Sequence, residues 1–279
     1  MKRSCLNVKN VTIVRVALAA ILLANAAFAF AGGTQENAGN VLTVGATPVP
    51  HAEILELVKK DLAEKGFTLR IREFTDYVLP NQALMNGDID ANFFQHLPYL
   101  QSNAEWNEKL VSAFGVHIEP MGLFSSKFKS IGDLPNGAQI AIPSDPSNGG
   151  RALLLLHARG LIRLREGAGL RATVRDIAPN GNPRGFVIRE LEAAQLPRSL
   201  ADVDAAVING NYALEAGFNP QRDALIIEDA DSPYVNIVVI QRGNENDPRI
   251  QALRDVLLSP RVREFINERY AGGAIAIFD

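Results

Sequence analysis

From residue 41 onward the chain alternates between two hydrophobic rhythms. Short runs dense in apolar and β-branched residues read as strands, and runs with an apolar residue every three or four positions read as helices. The stretch 41–45, Val-Leu-Thr-Val-Gly, is the first strand, and Thr47-Pro48-Val49-Pro50 is a turn. Within 51–65, Ile54, Leu55, Val58 and Leu62 share one face and Gly66 supplies a stop, which predicts a helix. Phe67, Leu69 and Ile71 alternate with Thr68, Arg70 and Arg72, as in a strand with one buried face. The same reasoning predicts helices over 79–86 and 98–109, a strand over 89–95 and extended structure over 110–125. The pattern then repeats in kind. Strands are predicted over 139–142, 186–190, 205–208, 224–227 and 235–240, helices over 150–159 and 212–216, and a helical turn at 199–201. The segment 248–270 reads as helix interrupted at Pro260.

Such alternation implies an α/β fold with mostly parallel sheets. Two polar breaks, 125–135 and 229–233, enclose one α/β unit. They predict one lobe inserted into another through two crossovers. The first lobe would comprise 41–124 and 233–279, and the second 125–232, with a ligand cleft between them. A single doubly wound sheet is the competing arrangement. In both, ligands favour the crevice at the carboxyl ends of the strands.

The beginning of the chain has a different character. Lys2, Arg3, Lys9 and Arg15 make it basic without one acidic residue, and 16–31 is almost wholly apolar. Ala27-Phe28-Ala29 and Ala29-Phe30-Ala31 both fit a small-x-small cleavage site. A signal peptide over 1–31 is expected, cleaved near Ala29 or Ala31. The alternative, an uncleaved anchor, is disfavoured because the apolar run is shorter than the ~20 residues a spanning helix needs. The polar stretch 32–40 reads as a flexible tether, and the product as a soluble periplasmic or secreted protein.

The one cysteine, Cys5, lies inside that signal, so the mature part has no thiol, disulfide or cysteine metal site. Four of the 28 Lys and Arg also lie there, leaving 24 against 31 Asp and Glu and a charge near −7. That balance argues against a nucleic-acid or anionic-membrane surface. No cofactor motif is present, and the four histidines, His51, His96, His117 and His157, lack metal-ligand spacing in the sequence. Neither a cofactor nor a bound metal is expected, and the protein is expected to be a monomer.

The most informative local pattern surrounds Arg151. A strand ends at Ile142, Pro143 and Pro146 hold a polar loop, and Ser147 or Asn148 is placed to cap a helix packed down by Leu153 to Leu156. A helix N-terminus suits an anion, and a guanidinium can grip a carboxylate through two parallel bonds. The plain alternative is a solvated arginine in a strand-loop-helix connection. Other predicted strand ends carry Tyr77, Phe93, His96, Asn209, Tyr234 and Asn236. Arg151 for a carboxylate, asparagines that donate and accept, and aromatics around an apolar side chain suit an amino acid. Tyr77 and Tyr234 could equally be half-buried interface residues, Asn209 a helix cap, and one of Phe93 and Phe94 plain core. No nucleophile accompanies these groups, so a secreted α/β enzyme acting on a small amino acid or carboxylate is the alternative reading.

Several ordered blocks carry a family resemblance. They include Pro50-His51-Ala52-Glu53, Asp76-Tyr77-Val78-Leu79-Pro80-Asn81 and Gly87-Asp88-Ile89-Asp90-Ala91-Asn92 with Phe94-Gln95-His96. Asp145-Pro146 through Gly150-Arg151, Leu191-Glu192-Ala193-Ala194-Gln195-Leu196-Pro197, Ala206-Val207-Ile208-Asn209 and Ser232-Pro233-Tyr234-Val235-Asn236 complete them. From Val41 to Gly273 the chain resembles the NlpA/MetQ-type lipoproteins, the substrate-binding proteins of methionine ABC importers. The resemblance implies two α/β lobes around a ligand cleft, and capture of methionine or a close relative for delivery to an importer permease. It implies Arg151 as the carboxylate anchor and Asn209 and Asn236 as partners of the ligand's amino and carboxylate groups. Tyr77, Phe93 and His96 would form the wall around the thioether. The chain departs from the family twice. No cysteine stands at the cleavage region, which disfavours lipid anchoring, and Gly149 occupies a variable place where it is expected to loosen the backbone beside Arg151.

Overall fold

The computed structural model describes residues 38–229 and 232–278. The signal segment 1–31 and tether residues 32–37 lie outside the described residues, and the end of the tether, Ala38–Asn40, is a 3-10 turn.

Strand β1 (Val41–Ala46) buries Leu42, Val44 and Ala46 completely. Helix α1 (Glu53–Glu64) turns Ile54, Leu55, Val58 and Leu62 into the same core. It stops at Gly66, whose φ of 89° lies in the left-handed region that glycine adopts without strain. β2 (Thr68–Glu73), α2 (Leu79–Asn86) and β3 (Ala91–His96) follow. The segment 98–109, predicted as one helix, is a helical turn at Leu97–Leu100 and a separate α3 (Ala104–Lys109). Asn103 makes the break. Its Oδ1 accepts the N–H groups of Glu105 and Trp106 at 2.9 and 3.2 Å, which starts a new helix.

β4 (Leu110–Ile118) leads through Glu119, Pro120 and Met121 to β5 (Gly122–Phe124). Then come β6 (Gln139–Pro143), α4 (Pro146–Ala158), β7 (Val187–Leu191), a helical turn at Leu196–Ser199, and β8 (Ala205–Ile208). α5 (Gly210–Glu215), β9 (Ile226–Ile227), β10 (Val235–Gln241), α6 (Pro248–Leu257), α7 (Pro260–Tyr270) and β11 (Ile275–Ala276) complete the chain.

The strands form two sheets, ordered β11-β4-β10-β3-β1-β2 and β7-β6-β8-β5-β9. Two α/β lobes result. α1, α6 and α7 cover one face of the first sheet, and α2 and α3 the other. α4 covers one face of the second sheet and α5 the other. Residues 122–124, expected at the end of the first lobe, pair instead with β8 and β9 in the second sheet. The chain therefore crosses at 119–121, before the polar break that suggested a boundary.

The expectation of mostly parallel sheets is also corrected. β1 pairs in parallel with β2 and β3, and β6 with β7 and β8. β10 runs antiparallel to both β3 and β4, and β5 antiparallel to β8 and β9. The cause lies in the crossovers. β1, β3 and β4 run toward the inter-lobe cleft, whereas β10 enters the first sheet from the cleft and must run the other way.

Candidate ligand-binding site

A small cavity lies between the two lobes. Phe94, Gln95 and His96 reach it from the end of β3, with Tyr77 and Tyr99 beside them and Asn236 from the start of β10. Asn148 and Arg151 reach it from α4, Asn209 to Asn211 from the start of α5, and Glu119 from the first crossover.

α4 begins earlier than the sequence suggests. Its cap is neither Ser147 nor Asn148 but Asp145, whose Oδ1 accepts the Asn148 N–H at 2.9 Å. Pro146 fits the first helical position because its missing N–H is not needed there. Arg151 consequently sits inside the helix, six residues past the cap, and is only 3 % exposed. Nor does Gly149 loosen the backbone. A Cβ there would stand 2.8 Å from the Pro143 carbonyl oxygen, and one on Gly150 would overlap the Leu170 carbonyl oxygen. Both glycines let α4 pack tightly against backbone.

Arg151 is not a free fork. Its Nε donates to Glu228 Oε1 at 3.0 Å and Oε2 at 3.2 Å. Its Nη2 donates to Glu228 Oε2 and, at 2.8 Å, to the carbonyl oxygen of Glu119. The guanidinium carbon stands 4.2 Å from the centre of the Tyr234 ring, a cation–π arrangement.

Side chains from the two lobes meet around the cavity. His96 Nδ1 accepts the Tyr99 N–H at 3.1 Å, so Nε2 carries the proton and donates to Asn148 Oδ1 at 3.0 Å. Asn209 Nδ2 donates to the same Asn148 oxygen at 2.8 Å. Burial, reinforced by the nearby Arg151 charge, pushes the His96 pKa down to about 3. Tyr77 donates its hydroxyl to Asn211 Oδ1 at 2.5 Å, and Tyr212 donates to the Thr75 carbonyl at 3.1 Å. The Tyr77 and Tyr212 rings lie 4.9 Å apart.

Behind the cavity Glu119 takes two imidazoles. His117 Nε2 lies 2.7 Å and His51 Nε2 3.2 Å from Glu119 Oε1, and His51 Nε2 also donates to Asn236 Oδ1 at 3.0 Å. Burial lowers the pKa of His51 to about 4 and that of His117 to about 3, so both rings are neutral donors. Burial also raises the Glu119 pKa, against the opposing pull of His51 and Arg151. Among the described residues this is the one trio of metal-capable side chains with ligand atoms within 4.8 Å of one another. Its spacing is that of hydrogen bonds, since two donors on one zinc at about 2.0–2.1 Å stand about 3.3 Å apart.

The cavity floor is held by a buried amide network. Asn81 Nδ2 donates to Gln95 Oε1 at 3.0 Å, Asn92 Nδ2 to Asn81 Oδ1 at 2.9 Å, and Gln95 Nε2 to Asn92 Oδ1 at 2.8 Å. Four buried polar atoms of residues in or beside the cavity have no protein partner: Asn209 Oδ1, Asn211 Nδ2, Tyr234 Oη and Ser147 Oγ. Such atoms are costly unless something else satisfies them.

Of the residues singled out in the sequence, Arg151, Asn209, Asn236, Tyr77 and His96 all line the cavity. Phe93 does not. It is fully buried in the core under α1, with its ring edge-on to His51 at 4.6 Å, and its neighbour Phe94 faces the cavity. β3 is irregular here: Gln95 pairs with Ile237 and Phe93 with Val238, so Phe94 is the extra residue of a bulge, and Phe94, Gln95 and His96 all reach the cavity while Phe93 stays in the core. Sequence reading missed Glu119 and Glu228. Glu119 had a signal, being the one charge in the otherwise apolar run 116–124 apart from His117.

Two α/β lobes closing on a buried polar and aromatic cleft define a periplasmic-binding-protein-like molecule. The family model described as NlpA lipoprotein matches residues 42–278, and the chain belongs to that family. It is 50 % identical over 234 residues to membrane lipoprotein TpN32 of Treponema pallidum, covering 84 % of this chain and 87 % of that protein. It is 41 % identical over 247 residues to the D-methionine-binding lipoprotein MetQ of Escherichia coli K12, covering 87 % and 90 %. Among solved structures, a nutrient-binding protein from Burkholderia cenocepacia bound to methionine superposes with a TM-score of 0.81 at 47 % identity, covering 85 % of this chain and all of that one.

Proposed function

We propose that this protein captures methionine, or a close relative of it, in the inter-lobe cleft and delivers it to an ABC importer. The observation that carries the reading is the pairing of opposite charges across one small cavity. Arg151 and the buried Glu119 both line it, as a zwitterion requires, and Tyr77, Phe94, His96 and Tyr99 give it an aromatic wall beside the amides of Gln95, Asn148, Asn209, Asn211 and Asn236. In this reading the ligand ammonium is taken by Glu119 and the unpaired Asn209 Oδ1. The carboxylate is taken by Arg151 and by amide N–H groups of Asn236 and Asn211. The thioether lies against aromatic edges, which favour sulfur. The relatives named for methionine binding support the same ligand class. Domain closure on ligand is the expected mechanism, with the lobes divided at the 119–121 and 228–234 crossovers.

The described residues that line the cavity include no Ser, Thr, Cys or Lys, so they offer a catalytic reading no such nucleophile. Calorimetric titration with methionine, followed by chromatography of the mixture, tests both points. Saturable one-to-one binding with methionine recovered intact supports the reading. Absence of binding, or conversion of methionine, contradicts it.

Export is proposed with cleavage near Ala29 or Ala31. Among the described residues no helix is long and apolar enough to cross a membrane. The relatives are named lipoproteins, whereas the one cysteine of this chain, Cys5, precedes the apolar run of the leader. A mature N-terminus without lipid is therefore proposed, and intact-mass analysis from the native host decides it. An acylated mass, or one retaining Met1, overturns the proposal.

A further inference from the structure

We infer that Glu228 is a positioning residue for the ligand carboxylate: it fills the Nε–Nη2 side of Arg151 and leaves the ligand a single guanidinium nitrogen, Nη1. The inference rests on the reading of the cleft as a carboxylate site.

The argument is a count of donors. A guanidinium has five N–H bonds, one on Nε and two on each Nη. The Nε–H is directed at Glu228, 3.0 Å from Oε1. Of the two on Nη2, one goes to Glu228 Oε2 and one to the Glu119 carbonyl oxygen at 2.8 Å. A carboxylate gripping arginine through two parallel bonds needs two adjacent nitrogens, and either pair includes Nη2. Since both Nη2 hydrogens are engaged, the ligand meets Arg151 at Nη1 alone. Its second oxygen must be satisfied by the amides around it, and the unpaired, buried Asn211 Nδ2 is available for that.

Glu228 also fixes where Nη1 stands. It opens the second crossover, its N–H donates to the Met121 carbonyl at 2.8 Å, and its Oε2 accepts the Met121 N–H at 3.3 Å. The first crossover, the second crossover and the ligand-facing arginine are thereby tied through one carboxylate. Tyr234, from the end of the second crossover, holds the guanidinium face at 4.2 Å. Without Glu228 the Arg151 side chain can turn its Nε–Nη2 side elsewhere, and Nη1 leaves the cavity wall.

The test compares methionine with methioninamide, which lacks the carboxylate charge, on wild type, Glu228→Ala, Glu228→Gln and Arg151→Ala. Glu228→Ala should weaken methionine at least tenfold and methioninamide less than twofold. Glu228→Gln keeps an oxygen acceptor for Nε–H and should fall between wild type and Glu228→Ala. In the Arg151→Ala background, Glu228→Ala should change affinity less than twofold. A purely structural role would weaken both ligands alike, and that result overturns the proposal. So does unchanged or tighter methionine binding by Glu228→Ala. If Glu228→Ala does not fold, Glu228→Gln carries the same comparison. Failure of wild type to bind methionine would instead overturn the reading of the cleft, which keeps the two failures distinct.

Discussion

His96 of the first lobe and Asn148 of the second share a hydrogen bond of 3.0 Å at the centre of the cleft. The proton on His96 Nε2 is fixed there because Nδ1 is already an acceptor for the Tyr99 N–H. Asn148 in turn is oriented by two bonds from its Nδ2 to the Asp145 carboxylate, at 3.1 and 3.0 Å. A helix cap in one lobe thereby sets the rotamer of a residue that reads the other.

Asn148→Ala should strand the His96 Nε2–H and the Asn209 Nδ2 without their shared acceptor. Each unsatisfied buried group costs about 1–3 kcal/mol. Methionine affinity should fall at least tenfold, which is about 1.4 kcal/mol. Calorimetry on the variant checks this. Wild-type affinity would mean that the bond does not contribute to the ligand-bound state.

The buried histidines make stability depend on pH. His51 titrates near 4 and His96 and His117 near 3 in the folded protein. In the unfolded chain histidine titrates near 6.5. As pH falls below about 6.5 the unfolded state takes up protons that the folded state refuses. Their stabilising contribution is thus complete above about 6.5 and is lost progressively down to about 3–4. Each histidine contributes a slope of up to about 1.4 kcal/mol per pH unit within that window. Glu119 works in the opposite sense. Its raised pKa lets the folded state take up a proton first, which offsets part of the loss at the acidic end. The melting temperature should drop between pH 7 and pH 5, and His117→Phe should flatten the slope by about one proton. An unchanged slope in a folded His117→Phe protein would contradict this assignment.

Selectivity should follow the apolar side chain. Alanine lacks about three heavy atoms of methionine, and at ~0.8 kcal/mol per buried methylene-sized group the deficit is roughly 2–3 kcal/mol. Alanine should bind about 30–150-fold more weakly. Aspartate should also be disfavoured, because Glu119 and Glu228 already supply negative charge around Arg151. Competition titrations check the order, and a preference for aspartate would overturn it.

Gly150→Ala should destabilise the second lobe. The added Cβ would overlap the Leu170 carbonyl oxygen and stand 3.0 Å from the Ala172 nitrogen and 3.1 Å from the Arg171 Cα. Backbone on both sides must shift, at a cost of about 1–3 kcal/mol. Thermal melts detect the loss, and an unchanged midpoint would show that the 170–172 segment moves without penalty.

Much of the lobe architecture was legible in sequence because periodicity is a local property. The strand over 205–208 and the helix over 79–86 coincide with the observed elements, and Pro260 marks a real break between α6 and α7. What failed was non-local. Strand direction depends on which end of the sheet the chain enters, so the antiparallel insertion of β10 leaves no signature in its own residues. The polar break at 125–135 suggests a boundary that would leave the short β5 in the first lobe, whereas its pairing with β8 and β9 puts it in the second. Among site residues, Arg151, His96, Asn209, Asn236 and Tyr77 were legible as polar or aromatic groups at strand and helix ends. Glu228 was not, because an acidic residue near a loop is ordinarily solvated and its partner lies 77 positions away.

The most direct test of the account is titration of Arg151→Ala with methionine beside a melting curve. Arg151 is buried and paired, so its loss should lower stability as well as affinity, because it leaves Glu228 without its cation. Truncating one member of a desolvated charge pair costs about 2–5 kcal/mol, so methionine binding should weaken roughly thirty-fold to a few thousand-fold. Arg151→Lys should restore little, since an ammonium cannot satisfy Glu228, the Glu119 carbonyl and the ligand from one point. Near wild-type affinity in a folded Arg151→Ala protein would contradict the account and place the carboxylate anchor elsewhere.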